Sequence, residues 1–422
     1  MSTSATTGTS QVVSYKSTTI ACYIGIFCQA IVINLTPILF IPLREQYGLT
    51  FIELGLLIFV NFTTQVVVDI AFSKVVEKHG YRPFVTAAHA FTVGGFLLFA
   101  LAPVVLVAPY PGFLIATVVF SAGGGLQELL LSPIVNSIPT DEKEKAMSVL
   151  HSFYAWGQVM VVVGTTFLVF LLGRTSWQWI MAGWAVIPAL NFVNFMRVPL
   201  GSPVPETGEH MGLTKLAKEP FFIIAIVAIA AGGAAEITMA GWTSAFFERT
   251  LAIPKVIGDT TGVASFAFML GLGRLLYGKY GTRMPLPKVM MGGALLAAAC
   301  YLVVVFSTVT AFSLVACMMC GFGVSLLWPG TLVLAAKRFP QAGASMFAIL
   351  AAGGDIGASV GPWIVSLVAD SAGTFSEQIG LRMGILVGVL FPVLAFACLR
   401  WMAWRDGRLT NEKSHVESHH RA

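Results

Sequence analysis

Charge is scarce in this chain: Asp, Glu, Lys and Arg make up 11% of its 422 residues, where a water-soluble chain carries about 25%. That scarcity excludes an ordinary soluble globular protein. No Ser/His/Asp or Cys/His arrangement and no paired set of metal ligands stands out, so an intramembrane enzyme lacks its nucleophile or metal, and neither metal nor cofactor is expected. No long polar stretch offers the soluble output domain that a membrane sensor needs. The six cysteines, including Cys317 and Cys320 of a CMMC run, fall within apolar stretches and read as small packing residues rather than a disulfide or zinc framework. The N-terminal MSTSATTGTSQ lacks a basic-then-apolar pattern ahead of a small-residue cleavage site, so no removed signal peptide is expected. The glycine-rich GGGLQE follows no strand and is not a phosphate loop.

What is present is apolar length. Hydrophobic residues make up 56% of the chain, and runs of about 20 residues, enough to cross a bilayer as a helix, recur throughout. Twelve such runs cover 18–42, 51–73, 84–108, 111–136, 146–172, 176–197, 219–247, 255–277, 286–306, 310–335, 342–368 and 380–402. The fold class is therefore an all-α membrane protein with twelve transmembrane helices. In that threading only Arg44, Arg174, Arg249, Lys255 and Arg382 fall opposite the N-terminus, leaving 25 − 5 = 20 of the basic residues on the N-terminal side. By the positive-inside rule both termini are cytoplasmic and the protein is multi-pass in the cell membrane. The net charge of +5 then reflects topology and implies no nucleic-acid partner. Trp177 and Trp179 at one face, and Trp401 and Trp404 at the other, suit interfacial aromatic belts. Runs nine and twelve are apolar nearly all round, as lipid-facing scaffolds should be.

The longest polar interruption separates two halves, giving a tail at 1–17, a six-helix half at 18–197, a cytoplasmic linker at 198–218, a second half at 219–404 and a tail at 405–422. The halves repeat: Ser132-Pro133 and Trp328-Pro329 are each followed 24 residues later by a glycine, Gly157 and Gly353, at a constant offset of 196. Gly80 and Arg82 are matched by Gly281 and Arg283 at an offset of 201. Two pseudo-symmetric six-helix halves in the same orientation account for this.

With that architecture, the loop SKVVEKHGYR resembles the connection between helices two and three of the major facilitator superfamily, Glu77, Lys78, Gly80 and Arg82 standing in the matching places. A narrower resemblance, to the fucose permease-like proton-coupled sugar transporters, rests on NLTPILFIPLREQYGLT, GLQELLLSPIVNSIP and AAEITMAGWTSAFFE. Aligning Pro133 with that family's helix-four proline puts Gln127 on its acidic position. The resemblance implies alternating access with the loop as a gate.

The residues themselves point to transport through their acids. Asp69, Glu128, Glu236 and Asp355 lie well inside apolar runs, where an ionised side chain costs at least ~2.5–3.5 kcal/mol and commonly faces a watery path. No Lys or Arg lies equally deep in this reading, because Arg274, about one turn from a helix end, can snorkel to the interface. Unpaired deep acids suggest a proton or Na⁺ route and argue against an organic-anion exchanger. Glu128 is assigned to coupling and Glu236 to both coupling and binding. Asp355 suits coupling or close helix packing equally, and Asp69 a structural or gating contact as well as coupling. Asn34, Gln127, Tyr154, Trp156, Gln158, Trp242 and Trp328 offer amides and aromatic faces to a hydroxylated solute. His89 and His151 read as isolated, satisfied polar residues. The expectation is a monomeric secondary transporter importing a small neutral polyhydroxy solute, a monosaccharide or related sugar, with protons. The competing reading is a proton-driven exporter of apolar or cationic drugs.

Overall fold

A computed structural model describes residues 14–139, 143–201, 213–281, 284–339, 342–374 and 376–419. Among these, twelve helical spans are long and apolar enough to cross a membrane: α1 (Lys16–Ile38), α2 (Phe51–Phe72), α3 (Tyr81–Val105), α4 (Pro109–Ser137), α5 (Val149–Leu172), α6 (Arg174–Arg197), α7 (Pro220–Thr250), α8 (Lys255–Tyr280), α9 (Leu286–Phe306), α10 (Thr310–Arg338), α11 (Met346–Gly373) and α12 (Glu377–Arg405). Twelve crossings return both chain ends to one side, here called the terminal face. Most of the 198–218 linker, Arg283 and the Glu77 side chain lie outside the described residues.

Small residues decide how closely the helices approach. In α2, a methyl group at Gly55 would lie 2.2 Å from the Ser366 hydroxyl of α11, so only glycine permits this contact between the halves. Further along the same seam Thr63 and Ser359 share a hydrogen bond of 2.9 Å, and Ser359 donates to the Phe59 carbonyl at 2.9 Å. Within the first half, Asn191 of α6 donates to the Ala21 carbonyl at 3.0 Å and to His89 Nε2 at 2.9 Å, while His89 Nδ1 meets the Val85 carbonyl at 2.7 Å. His89 is thus a satisfied core histidine, as its isolation in the sequence suggested.

The face opposite the termini is closed by charge. Arg44, Glu45 and Arg174 of the first half interlock with Glu248, Arg249 and Glu377 of the second: Arg44–Glu377 at 3.4 Å, Arg174–Glu248 at 2.5 Å, and Arg249 against Glu45. Asp370, near the end of α11, accepts from the N–H groups of Phe51 and Ile52 at 3.0 and 2.6 Å, satisfying orphan donors at the N-terminus of α2 and placing negative charge at its positive dipole end. Beneath this layer Lys255 and Asp259 form a buried pair at 2.9 Å, extended by Ser244 and Thr166.

Trp177 corrects the belt expectation. It is fully buried, donates to Gln46 Oε1 at 2.8 Å, and packs edge-on against Tyr47, Phe99 and Phe113, because the α1–α2 connection folds over it. Trp179 and Trp404 are exposed, as expected. Nor is α9 only a scaffold: its buried Tyr301 donates to the Ala235 carbonyl of α7 at 2.7 Å. The six cysteines are free and buried.

Candidate functional site

Side chains from both halves converge midway along the spans. On α5, His151, Tyr154 and Gln158 lie three and four residues apart and so share one helix face. Its opposite face, Phe153, Trp156, Met160, Val163, Phe167 and Phe170, is an exposed apolar stripe. Trp156 therefore belongs to the outer surface, stacked edge-on with Phe268. The sequence argument placed it in the cavity by depth, but depth does not determine which way a helix face points.

Tyr154 is the pivot of the site. It is hydrogen-bonded to Asn34 of α1 and stands within electrostatic reach of Glu128, Glu236 and Arg274. Asn34 also donates to the Ala30 carbonyl at 2.9 Å. Glu128 of α4 accepts from Gln29 Nε2 of α1 at 2.8 Å. Sequence reading missed Gln29, although it lies on α1 five residues before Asn34, near the Asn34 depth. Asp69 and Asp355 complete an acidic group around Glu128, each close enough to interact electrostatically with it. One carboxylate oxygen of each, Asp69 Oδ1 and Asp355 Oδ2, is buried without a hydrogen-bond partner among the described residues, as is Gln158 Oε1. No set of three or more His, Cys, Asp or Glu among the described residues is arranged to hold a metal.

The second half contributes a pair that sequence reading excluded. Arg274 of α8 does not snorkel: its Nη2 reaches Glu236 Oε2 at 3.5 Å and its Nε donates to the Ser325 carbonyl of α10 at 3.1 Å. The expectation that no base lies as deep as the acids is thereby corrected, and with it the case against anionic solutes. One local reason is the π-helical run Gly258–Ala264 at the start of α8, which takes more residues per turn than an α-helix and so rotates the face on which Arg274 emerges. The side chain of Arg274 stays 24% exposed, Glu236 only 8%. His151 is exposed and close enough to Arg274 to interact with it electrostatically.

The remaining candidates divide. Trp328 lies over two glycines, with ring atoms 2.9 Å from a methyl built at Gly233 and 2.3–2.6 Å from one at Gly354. It is partly exposed, and the two glycines it covers lie three residues before Glu236 and one before Asp355 in sequence. Trp242 is instead fully buried between Phe40 and Phe51, donating to the Pro362 carbonyl at 3.1 Å, and belongs to the closed far face. Gln127 turns to α3 and donates to Thr92 at 3.0 Å, away from Tyr154. In the gating loop, Gly80 has φ of 83°, which only glycine adopts without strain, and Lys78 is exposed. Arg82 donates to the carbonyls of Phe195, Met196 and Val198 at 2.8–2.9 Å, capping the C-terminal end of α6 within its own half.

The family description "Major Facilitator Superfamily" matches residues 22–263 and 254–422. The chain belongs to that superfamily. No curated protein sequence matches the chain. Among solved structures, this facilitator is similar to a D-xylose–proton symporter, at TM-score 0.74, 15% identity and coverage of 90% of this chain and 97% of that one. It is also similar to a bacterial homolog of the human lysosomal transporter Spinster in an inward-facing, occupied conformation, at 0.73, 14%, 92% and 96%. The fucose:proton symporter of E. coli follows at 0.64, 17%, 92% and 99%. At these identities the likeness is one of fold. The superfamily's members are transporters.

Proposed function

We propose that this facilitator carries a small, hydroxyl-rich solute of the sugar type together with protons, its halves rocking about the Tyr154 site in a cell membrane with both termini cytoplasmic. The observation that carries the reading is the meeting of a carboxylate from each half, Glu128 on Gln29 and Glu236 on Arg274, around one tyrosine. Asn34, Tyr154 and Gln158 supply hydroxyl partners, and Trp328 an apolar face for a pyranose ring. An acid at this depth is costly when unpaired and ionised, so neutralisation by a proton ties closure to pH. Two proteins of this fold are proton symporters of sugars, which is in keeping with the reading. A guanidinium in the cavity wall disfavours the alternative, an exporter of cationic drugs.

The test is transport by the purified protein in vesicles. Symport gives solute accumulation driven by an inwardly directed proton gradient. Efflux of cationic dyes under the reverse gradient, with no accumulation of any hydroxylated solute, would overturn it.

A further inference from the structure

The Arg274–Glu236 pair is unevenly made. Arg274 is steadied through Nε by the Ser325 carbonyl, yet Nη2 reaches Glu236 only at 3.5 Å, and a quarter of the side chain remains exposed. A planar guanidinium with free donors is matched in geometry by a planar carboxylate that accepts two parallel bonds. A neutral polyol can accept from the same N–H groups but brings neither the charge nor the bidentate geometry that matches a guanidinium. The titratable groups that interact electrostatically with the pair are His151 and Tyr154 of α5 and Cys320 of α10. Of these only His151 can add positive charge.

We propose that the solute is a hydroxylated carboxylic acid whose carboxylate replaces Glu236 on Arg274, while Glu236 takes up the proton that travels with it. This rests on the reading of the Tyr154 site as the transport site. Charge balance supports it. Before loading, the ionised Glu236 neutralises Arg274. After loading, the solute carboxylate does so and Glu236 is neutral. The Arg274–Glu236 pair with its solute carries no net charge in either state, which avoids the large cost of an uncompensated ion in a low-dielectric interior, and proton and anion load as one neutral unit. The ground for expecting a neutral solute was the lack of a deep base, and Arg274 removes it.

The experiment measures binding by thermal shift and calorimetry on the intact protein, using acids matched with neutral partners: gluconate with glucitol, glucuronate with glucose, glycerate with glycerol, lactate with propane-1,2-diol. At least one hydroxylated acid is expected to bind more than about tenfold tighter than its partner, more tightly as pH falls. Arg274→Gln should abolish that preference and Arg274→Lys keep part of it. Glu236→Gln, which keeps the shape but removes the competitor, should retain acid binding and flatten its pH dependence, a result that a purely structural role does not produce and that stands even if Arg274→Gln fails to fold. Glucitol or glucose bound as tightly as its acid overturns this inference and leaves the hydroxyl-rich reading intact. Lactate bound as tightly as gluconate, with no polyol bound, keeps Arg274 as the anchor and overturns the hydroxyl-rich reading. No binding by any probe overturns both.

Discussion

Arg274 of α8 and Glu236 of α7 meet at 3.5 Å, and the Ser325 carbonyl of α10 holds the arginine in place. Removing the arginine strands a nearly buried carboxylate, which costs about 1–3 kcal/mol, reduced here because Arg274 is partly exposed. Arg274→Leu should lower Tm in detergent, and the double variant Arg274→Leu, Glu236→Leu should recover part of the loss. Strictly additive losses in the double-mutant cycle would mean that the two are not coupled.

Trp328 depends on glycine beneath it. A methyl at Gly354 would sit 2.3 Å from its ring, so Gly354→Ala must displace the indole, at the roughly 1–3 kcal/mol typical of overpacking. Intrinsic fluorescence should shift and solute binding weaken. Adding Trp328→Phe to Gly354→Ala should restore stability but not binding. An unchanged emission spectrum in Gly354→Ala would show that the ring does not rest there.

The twelve spans, the two halves and the carboxylates were legible in the sequence because hydrophobic length and isolated charge are one-dimensional signals. Pairing was not. Gln29 and Glu128 are 99 residues apart, and no local spacing announces their contact. Trp156, Trp242 and Trp328 all read as cavity aromatics in the sequence, yet one faces outward, one seals the far face and only Trp328 borders the site. Arg274 was misread because depth was counted from the helix end, whereas its side chain turns inward below a π-helical run. Lys255, counted only as a cation on the side opposite the N-terminus, is buried against Asp259, the i,i+4 spacing being its one local clue.

Arg82 illustrates how a motif's position differs from its contacts. The sequence suggested control of conformational exchange, but its three bonds to carbonyls at the end of α6 and just beyond it stay within one half. Arg82→Ala should therefore lower Tm, and Arg82→Lys should rescue it by less than half, since an ammonium cannot reproduce the guanidinium fork. Unchanged Tm with slowed exchange would restore the gating assignment.

The far-face clamp sets which way the halves lean. Each exposed ion pair contributes only ~0.2–1 kcal/mol, but Glu45 joins Arg174 to Arg249 across the halves. Glu45→Gln should lengthen the spin-label distance between Thr175→Cys and Thr374→Cys, two exposed far-face positions, one in each half. If the distance distribution does not change, Glu45 does not hold the far face closed.

The central claim is that solute and proton move together through carboxylates of both halves. Vesicles containing the purified protein and a lumenal pH dye measure it most directly, once a stabilising solute is in hand. Adding that solute outside should acidify the lumen in the parent protein. In at least one of the two carboxylate variants, Glu128→Gln and Glu236→Gln, the acidification should vanish while exchange of labelled solute persists. Lumenal alkalinisation in the parent, or full acidification in both Glu128→Gln and Glu236→Gln, would contradict the account.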